Sequence, residues 1–192
     1  MTYPRILALG DSLTAGYGLP PHQSFAAQLE ALLRERRPAA VVHNAGVSGD
    51  TSAGGLARLP RVLARLEGRP DLAIVELGAN DLLRGLPSAR MQANLDAILT
   101  ELSRCGVPAL LAGMLAPPFL GAFARAYNAV FPAVAATHRA ALYPFFLDGV
   151  VGDPALTLAD GIHPNGRAIG LVARRILPHV EAALAAGERQ LA

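Results

Sequence analysis

The chain has no lysine and no tryptophan, a single cysteine, and aromatic side chains at only 5% of its 192 positions. Each shortage removes a class of function. Without lysine there is no Schiff-base catalyst and no P-loop motif, and all 17 basic side chains are arginines. With Cys105 alone, an internal disulfide is impossible and cysteine-rich metal sites are excluded. Cys105 ends a helical pattern just before Gly106-Val107-Pro108 and reads as a small packing residue. No uninterrupted apolar run is long enough to span a bilayer. The formal charge is only +2, and the arginines do not alternate with aromatics as in a nucleic-acid-binding patch. Arg58, Arg61, Arg65 and Arg69 fall at roughly helical spacing and read as the solvated face of an amphipathic helix; an acidic-substrate or membrane-surface patch is the alternative. Nor does a charged segment followed by an apolar one precede the first strand. The expected location is therefore cytoplasmic if Met1 is the native start, and periplasmic if a leader has been trimmed.

What is present is a core. Hydrophobic residues make up 52% of the chain against 17% charged, which excludes disorder, and the length suits one domain over residues 1–192. Apolar runs alternate with helical periodicities along the whole sequence. The strand candidates are Ile6–Leu9, Ala40–His43, Asp71–Leu77, Ala109–Met114 and Ala141–Phe146, the last at an edge because of Pro144. Between them lie helices carrying Phe25, Leu29, Leu32 and Leu33; Leu56, Leu59, Leu63 and Leu66; Met91, Leu95, Ile98 and Leu102; and Phe123, Tyr127, Val130, Phe131 and Val134. A final helix spans roughly residues 165–187. Ser24 and Ser88 are the expected N-caps of the first and third of these, and the second starts near Thr51 or Ser52 with Pro60 kinking it or delaying its start. The order predicts an α/β fold: a doubly wound, flavodoxin-like, five-stranded parallel sheet with helices on both faces.

Four stretches then stand at or near the carboxyl ends of strands, where open sheets of this type place ligands. Gly10-Asp11-Ser12-Leu13-Thr14 follows the first strand, Ser48-Gly49-Asp50-Thr51 the second, Gly78-Ala79-Asn80-Asp81 the third, and Asp160-Gly161-Ile162-His163-Pro164 the fifth. Each is ordinary alone. A serine after a strand is often a helix N-cap, Ala79-Asn80 a turn, and Asp-x-x-His a common tetrapeptide. Together, in this order, they form one candidate site. A serine hydroxyl needs a base to become a nucleophile, and His163, with a free-imidazole pKa of about 6.5, suits that task. Asp160 is close enough in sequence to fix the imidazole tautomer. The backbone N–H groups of Ser12 and Gly49 and the Asn80 amide supply three donors for an oxyanion. Asp11 and Asp50 read as acceptors that organise loops. His22, His43, His138 and His179 have no spaced carboxylate or cysteine partners and read as surface or packing residues.

With these residues the chain resembles the SGNH or GDSL hydrolase family, over Ile6 to Gly166. Asn44–Thr51 and Gly55–Pro60 look like its bacterial thioesterase, lysophospholipase and arylesterase branch. The resemblance implies hydrolysis of acyl esters and thioesters by Ser12, His163 and Asp160, with Gly49 and Asn80 completing the oxyanion hole and no metal or organic cofactor. The α/β-hydrolase elbow needs Gly-x-Ser-x-Gly, and here the residue two after Ser12 is Thr14.

The sequence says less about substrate. Leu13, Pro117, Pro118, Phe119, Leu120 and Ile162 are the candidate lining of an acyl pocket, and a small acyl ester is the expected ligand. Thioesters and lysophospholipids are alternatives. A carbohydrate O-deacetylase would use the same triad. A non-catalytic flavodoxin-like phosphate binder fits less well, because Gly10 to Thr14 has few glycines and carries Asp11.

Overall fold

The strand candidate Asp71–Leu77 proves to be the middle of the sheet. In a computed structural model that describes residues 3–191, with side chains to residue 187, β3 (Leu72–Glu76) is buried at every position. Met1, on which the expectation about location turns, lies outside the described residues. A strand buried on both faces cannot alternate polar and apolar residues, which explains its almost continuous apolar run. Beside it lies β1 (Arg5–Gly10), then β2 (Val41–Gly46) at one edge; β4 (Ala109–Ala112) and β5 (Ala141–Tyr143) complete the other side. The sheet is parallel with order β2-β1-β3-β4-β5, the expected doubly wound arrangement.

Helices cover both faces. α2 (Phe25–Arg34) and α8 (Gly166–Leu191) pack on one side; α3 (Ser52–Ala64), α5 (Ser88–Arg104) and α7 (Val130–His138) pack on the other. The division follows from right-handed crossovers: β1 to β2 runs one way along the sheet, and every later crossover runs the opposite way. Where α2 and α8 pack together, Phe25, Leu29 and Leu33 of the first and Ile169, Val172, Ile176 and Val180 of the second are all essentially inaccessible to solvent. Each such side chain contributes about 1.5–3 kcal/mol of transfer free energy. The apolar stretch Pro118–His138, long enough by length and composition to cross a bilayer, folds instead as separate pieces. Its Val130, Phe131 and Val134 are buried in the core.

Several boundaries differ from expectation. β2 runs on through Asn44, Ala45 and Gly46, because its backbone keeps pairing with β1 up to Gly10↔Gly46 after the apolar run has ended. β4 and β5 are shorter than their apolar runs, and Pro144, without an N–H, follows the last residue of β5. The N-cap of α5 is Pro87 and makes no side-chain cap bond, so Ser88 is the first helical residue instead of the cap. Ser24 does cap α2, accepting from Ala27 N. α3 starts at Ser52, capped by Thr51, and continues past Pro60, ending before Leu66. The helix expected after residue 121 is two, α6 (Gly121–Asn128) and α7, which meet at Ala129; there the Asn128 side chain turns back to the Ala116 backbone. Two one-turn helices, α1 (Ser12–Ala15) and α4 (Ala79–Leu83), occupy stretches that read as turns.

Candidate active site

The strand order reverses at β1, with β2 on one side and β3 on the other, so the loops after β1 and β3 diverge there and leave a crevice. Ser12 opens α1 on the β1 side. Asp11 caps that turn, its Oδ1 accepting from Leu13 N at 3.0 Å, and Gly16 closes it with φ of 84°. A first-turn residue has no helical acceptor for its N–H, so the Ser12 amide is not consumed by α1.

His163 comes from the loop before α8. Its Nε2 lies 3.1 Å from Ser12 Oγ and its Nδ1 lies 2.7 Å from Asp160 Oδ2. Asp160 Oδ1 accepts from the backbone N–H groups of Ile162 at 2.9 Å and His163 at 3.0 Å. Those backbone donors, and then the imidazole, hold the Asp160 carboxyl down at about 2. An ionised carboxylate beside Nδ1 draws the proton to that nitrogen and leaves the Nε2 lone pair facing the serine hydroxyl. The three residues form one hydrogen-bonded relay.

Across the crevice, Asn80 sits on α4, and its side-chain amide donates to Asp11 Oδ2 at 2.9 Å. Gly49 lies in the loop after β2 with φ of 83°, a conformation that disfavours any residue with a Cβ. Arg84 Nη2 donates to the Gly49 carbonyl at 2.6 Å. Asp50 and Asp11 organise these loops, as the sequence suggests. The structure therefore joins Ser12, His163 and Asp160 through direct hydrogen bonds, ties Asn80 to Asp11, the neighbour of Ser12, and ties the Gly49 carbonyl to Arg84.

Three further residues contribute that the sequence reading did not include. Arg58, grouped above with a solvated helix face, turns inward from α3. It donates to Asp50 Oδ2 at 2.6 Å, to the Ala45 carbonyl at 2.7 Å and to the Gly10 carbonyl at 2.9 Å. One guanidinium thereby ties the ends of β1 and β2 to the Gly49 loop, as only its planar fork allows. Helical spacing carries no sign of this.

Glu76, inaccessible on β3, accepts from Thr14 Oγ1 at 2.8 Å and from Asp11 N at 3.4 Å. Its Oε1 meets no partner among the described residues. Burial, then the charge of Asp11, pushes its carboxyl well above the usual range, and burial raises that of Asp11 to about 6. The signal was available: one acid within a wholly apolar strand. Tyr17, finally, places its ring 4.4 Å from that of His163.

The pocket candidates divide. Leu13 is buried and, with Ser12, Tyr17, Leu19 and His163, lines only a slight indentation, too small to admit a water molecule. Ile162 and Phe119 are 67% and 85% exposed, and Pro117, Pro118 and Leu120 are exposed as well. The 3₁₀ turn Pro118–Leu120 packs on α6 and leaves Phe119 in solvent, so this loop does not form the wall of a closed pocket.

Comparison with known proteins gives the family. The family model described as GDSL-like lipase/acylhydrolase matches residues 8–168. The chain is 45% identical over 160 residues to Esterase TesA of Pseudomonas aeruginosa, spanning 83% of this chain and 79% of that protein. It is 35% identical over 181 residues to an arylesterase of Vibrio mimicus, covering 92% of this chain and 90% of the other. The crystal structure of AlinE4, an SGNH-hydrolase family esterase, matches with a TM-score of 0.80 and 46% identity over 96% of this chain and 98% of that one. A family match over residues 8–168, with relatives of this identity and fold, makes the chain a member of the GDSL-like lipase/acylhydrolase, or SGNH, family and an esterase.

Proposed function

We propose that the chain hydrolyses small carboxylic esters, with short acyl or aryl groups, through an acyl-enzyme on Ser12. The Asp160–His163–Ser12 relay carries this reading. Ser12 Oγ attacks the ester carbonyl carbon as its proton passes to His163 Nε2. The tetrahedral oxyanion is met by the N–H groups of Ser12 and Gly49 and by the Asn80 N–H that Asp11 leaves unused. Collapse breaks the bond to the alkoxy group, which departs as the alcohol with the proton from Nε2. A water molecule then repeats the sequence in reverse, freeing the acid and restoring the serine. Phe119 and Ile162 stand in solvent instead of walling a closed acyl pocket beside Ser12, which supports short acyl groups.

The test is a series of p-nitrophenyl esters from acetate to palmitate, with an acyl thioester and an acetylated sugar in parallel and Ser12→Ala as control. The expected result is a kcat/KM maximum at acetate or butyrate, abolished in Ser12→Ala. A maximum at the long esters or the thioester overturns the short-ester reading in favour of a lysophospholipase or thioesterase, and faster acetate release from the sugar in favour of a deacetylase. Absence of turnover and of a phosphonate adduct at Ser12 overturns the catalytic reading altogether.

A further inference from the structure

We propose that Tyr17 is a positioning residue for His163, carrying the frame of the nucleophile to the face of the base. The inference rests on the triad reading above. Every contact that Asp160 makes with His163 is local: both sit on one turn, three residues apart, and the carboxylate spends its second oxygen on that turn's own backbone. The turn is likewise held by short-range bonds, Leu158 N to the His163 carbonyl at 2.8 Å and Asn165 N to the Leu156 carbonyl at 2.9 Å. Asp160 thus orients the imidazole within its loop but does not tell the loop where Ser12 is.

Tyr17 supplies that reference. Its backbone N–H donates to the carbonyl of Ser12 at 3.1 Å, and the Gly16 N–H donates to the same carbonyl at 3.1 Å. Nucleophile and tyrosine are therefore parts of one small rigid unit. From that unit the tyrosine ring reaches the imidazole, with centroids 4.4 Å apart and planes tilted by 35°. Geometry explains why a face contact matters here. The two hydrogen bonds of His163 act at opposite edges of the ring, on Nδ1 and Nε2, whose N–H and lone pair point outward in the plane of the imidazole. Neither resists rocking of the ring out of that plane, which would swing the Nε2 lone pair away from Ser12 Oγ. A ring packed against the face does resist it. The same face also favours the imidazolium that exists once the serine proton has moved.

The aromatic ring is the active feature, so phenylalanine should replace tyrosine and an aliphatic side chain should not. In Tyr17→Leu and Tyr17→Ala, kcat for the best p-nitrophenyl ester should fall on the order of ten-fold while KM stays within about two-fold, since a misaligned base harms the transition state more than ground-state binding. Tyr17→Phe should return kcat to within about two-fold of the parent. Phosphonate labelling of Ser12 should slow in parallel with kcat. Unchanged kcat in folded Tyr17→Leu overturns the proposal. Equal losses in Tyr17→Phe and Tyr17→Leu also overturn it, because the hydroxyl would then be responsible. If Tyr17→Ala fails to fold, the Leu and Phe pair still decides. Failure of the hydrolase reading is distinguishable, since the parent itself would then turn over no ester and take no label.

Discussion

Asn80 and Asp11 join the two sides of the crevice: the amide on α4 donates to the buried carboxylate at the end of β1 over 2.9 Å, across 69 positions of sequence. Because one of the two amide protons is claimed, the direction of the other is set before any substrate arrives. Preorganisation of this kind serves a charge that appears only in the transition state. Asn80→Ala should therefore lower kcat and kcat/KM by about 2.7–4 kcal/mol, a hundred- to a thousand-fold. Single-turnover acylation of the purified variant, measured together with Tm, separates this from a turn residue's role. Normal acylation in a folded Asn80→Ala protein would remove Asn80 from the site.

Asp160→Asn leaves the shape of the turn but takes away the charge that sets the imidazole tautomer. The expected loss in kcat reaches about 10⁴-fold, with a much smaller change in KM. Its pH behaviour has a definite sign. The folded-state pKa of about 2 lies below the ordinary value of 3.8, so the stabilisation is present above pH 4 and fades only as the pH falls toward 2. Acid inactivation of the parent at pH 5 to 6 thus cannot originate in Asp160. Wild-type rates in Asp160→Asn would point to Asp153, which caps the turn at the start of the same loop.

Arg58→Lys tests the tie between the two strand ends and the Gly49 loop. A lysine ammonium can satisfy one of the three acceptors but cannot span all of them. The Gly10 carbonyl keeps the Val47 N–H at 3.0 Å, but breaking the charged bridge from Asp50 to the Ala45 carbonyl costs about 1–3 kcal/mol, so Tm should fall by several degrees and kcat should fall with it. Arg61→Ala, exposed on the same helix, should change stability by less than about 0.5 kcal/mol. Equal Tm values for the two variants in thermal melts would refute the distinction between Arg58 and its neighbours.

Glu76→Gln addresses the buried acid beneath the nucleophile. Its folded-state pKa is raised above the ordinary 4.5, so whatever stability it confers is complete below that pH and is lost as pH rises through the higher folded value. Glutamine keeps the shape and an acceptor for Thr14 but never ionises. The stability difference, Gln minus Glu, should grow with pH. Urea denaturation at pH 5 and pH 9 measures it, and a difference that stays constant would contradict a neutral Glu76.

Much of this architecture can be read locally. The doubly wound parallel sheet, the buried faces of α2, α5 and α8, and the edge position of β5 all follow from periodicity, the alternation of elements and Pro144. So does the grouping of Ser12, Gly49, Asn80, Asp160 and His163 at one edge, because every parallel strand delivers its following loop to the same side. Where the reading failed, the deciding interaction was not local. β2 outlasts its apolar run because β1 offers backbone partners as far as Gly10; the helix beyond residue 121 breaks where Asn128 reaches back to Ala116.

What the sequence by itself determined is the inventory of chemical groups and the edge at which they meet, since both depend on residue type and on a two- or 3.6-residue period. Only the tertiary structure decided their relative placement. Arg58 turned inward instead of outward, Glu76 came to lie beneath Asp11, and the Tyr17 ring came to rest on His163. The physical reason is common to all three. Each contact closes a long loop of chain, 48 residues for Arg58 to Gly10 and 65 for Glu76 to Asp11, and its geometry exists only after the sheet has assembled and brought both partners to the same crevice.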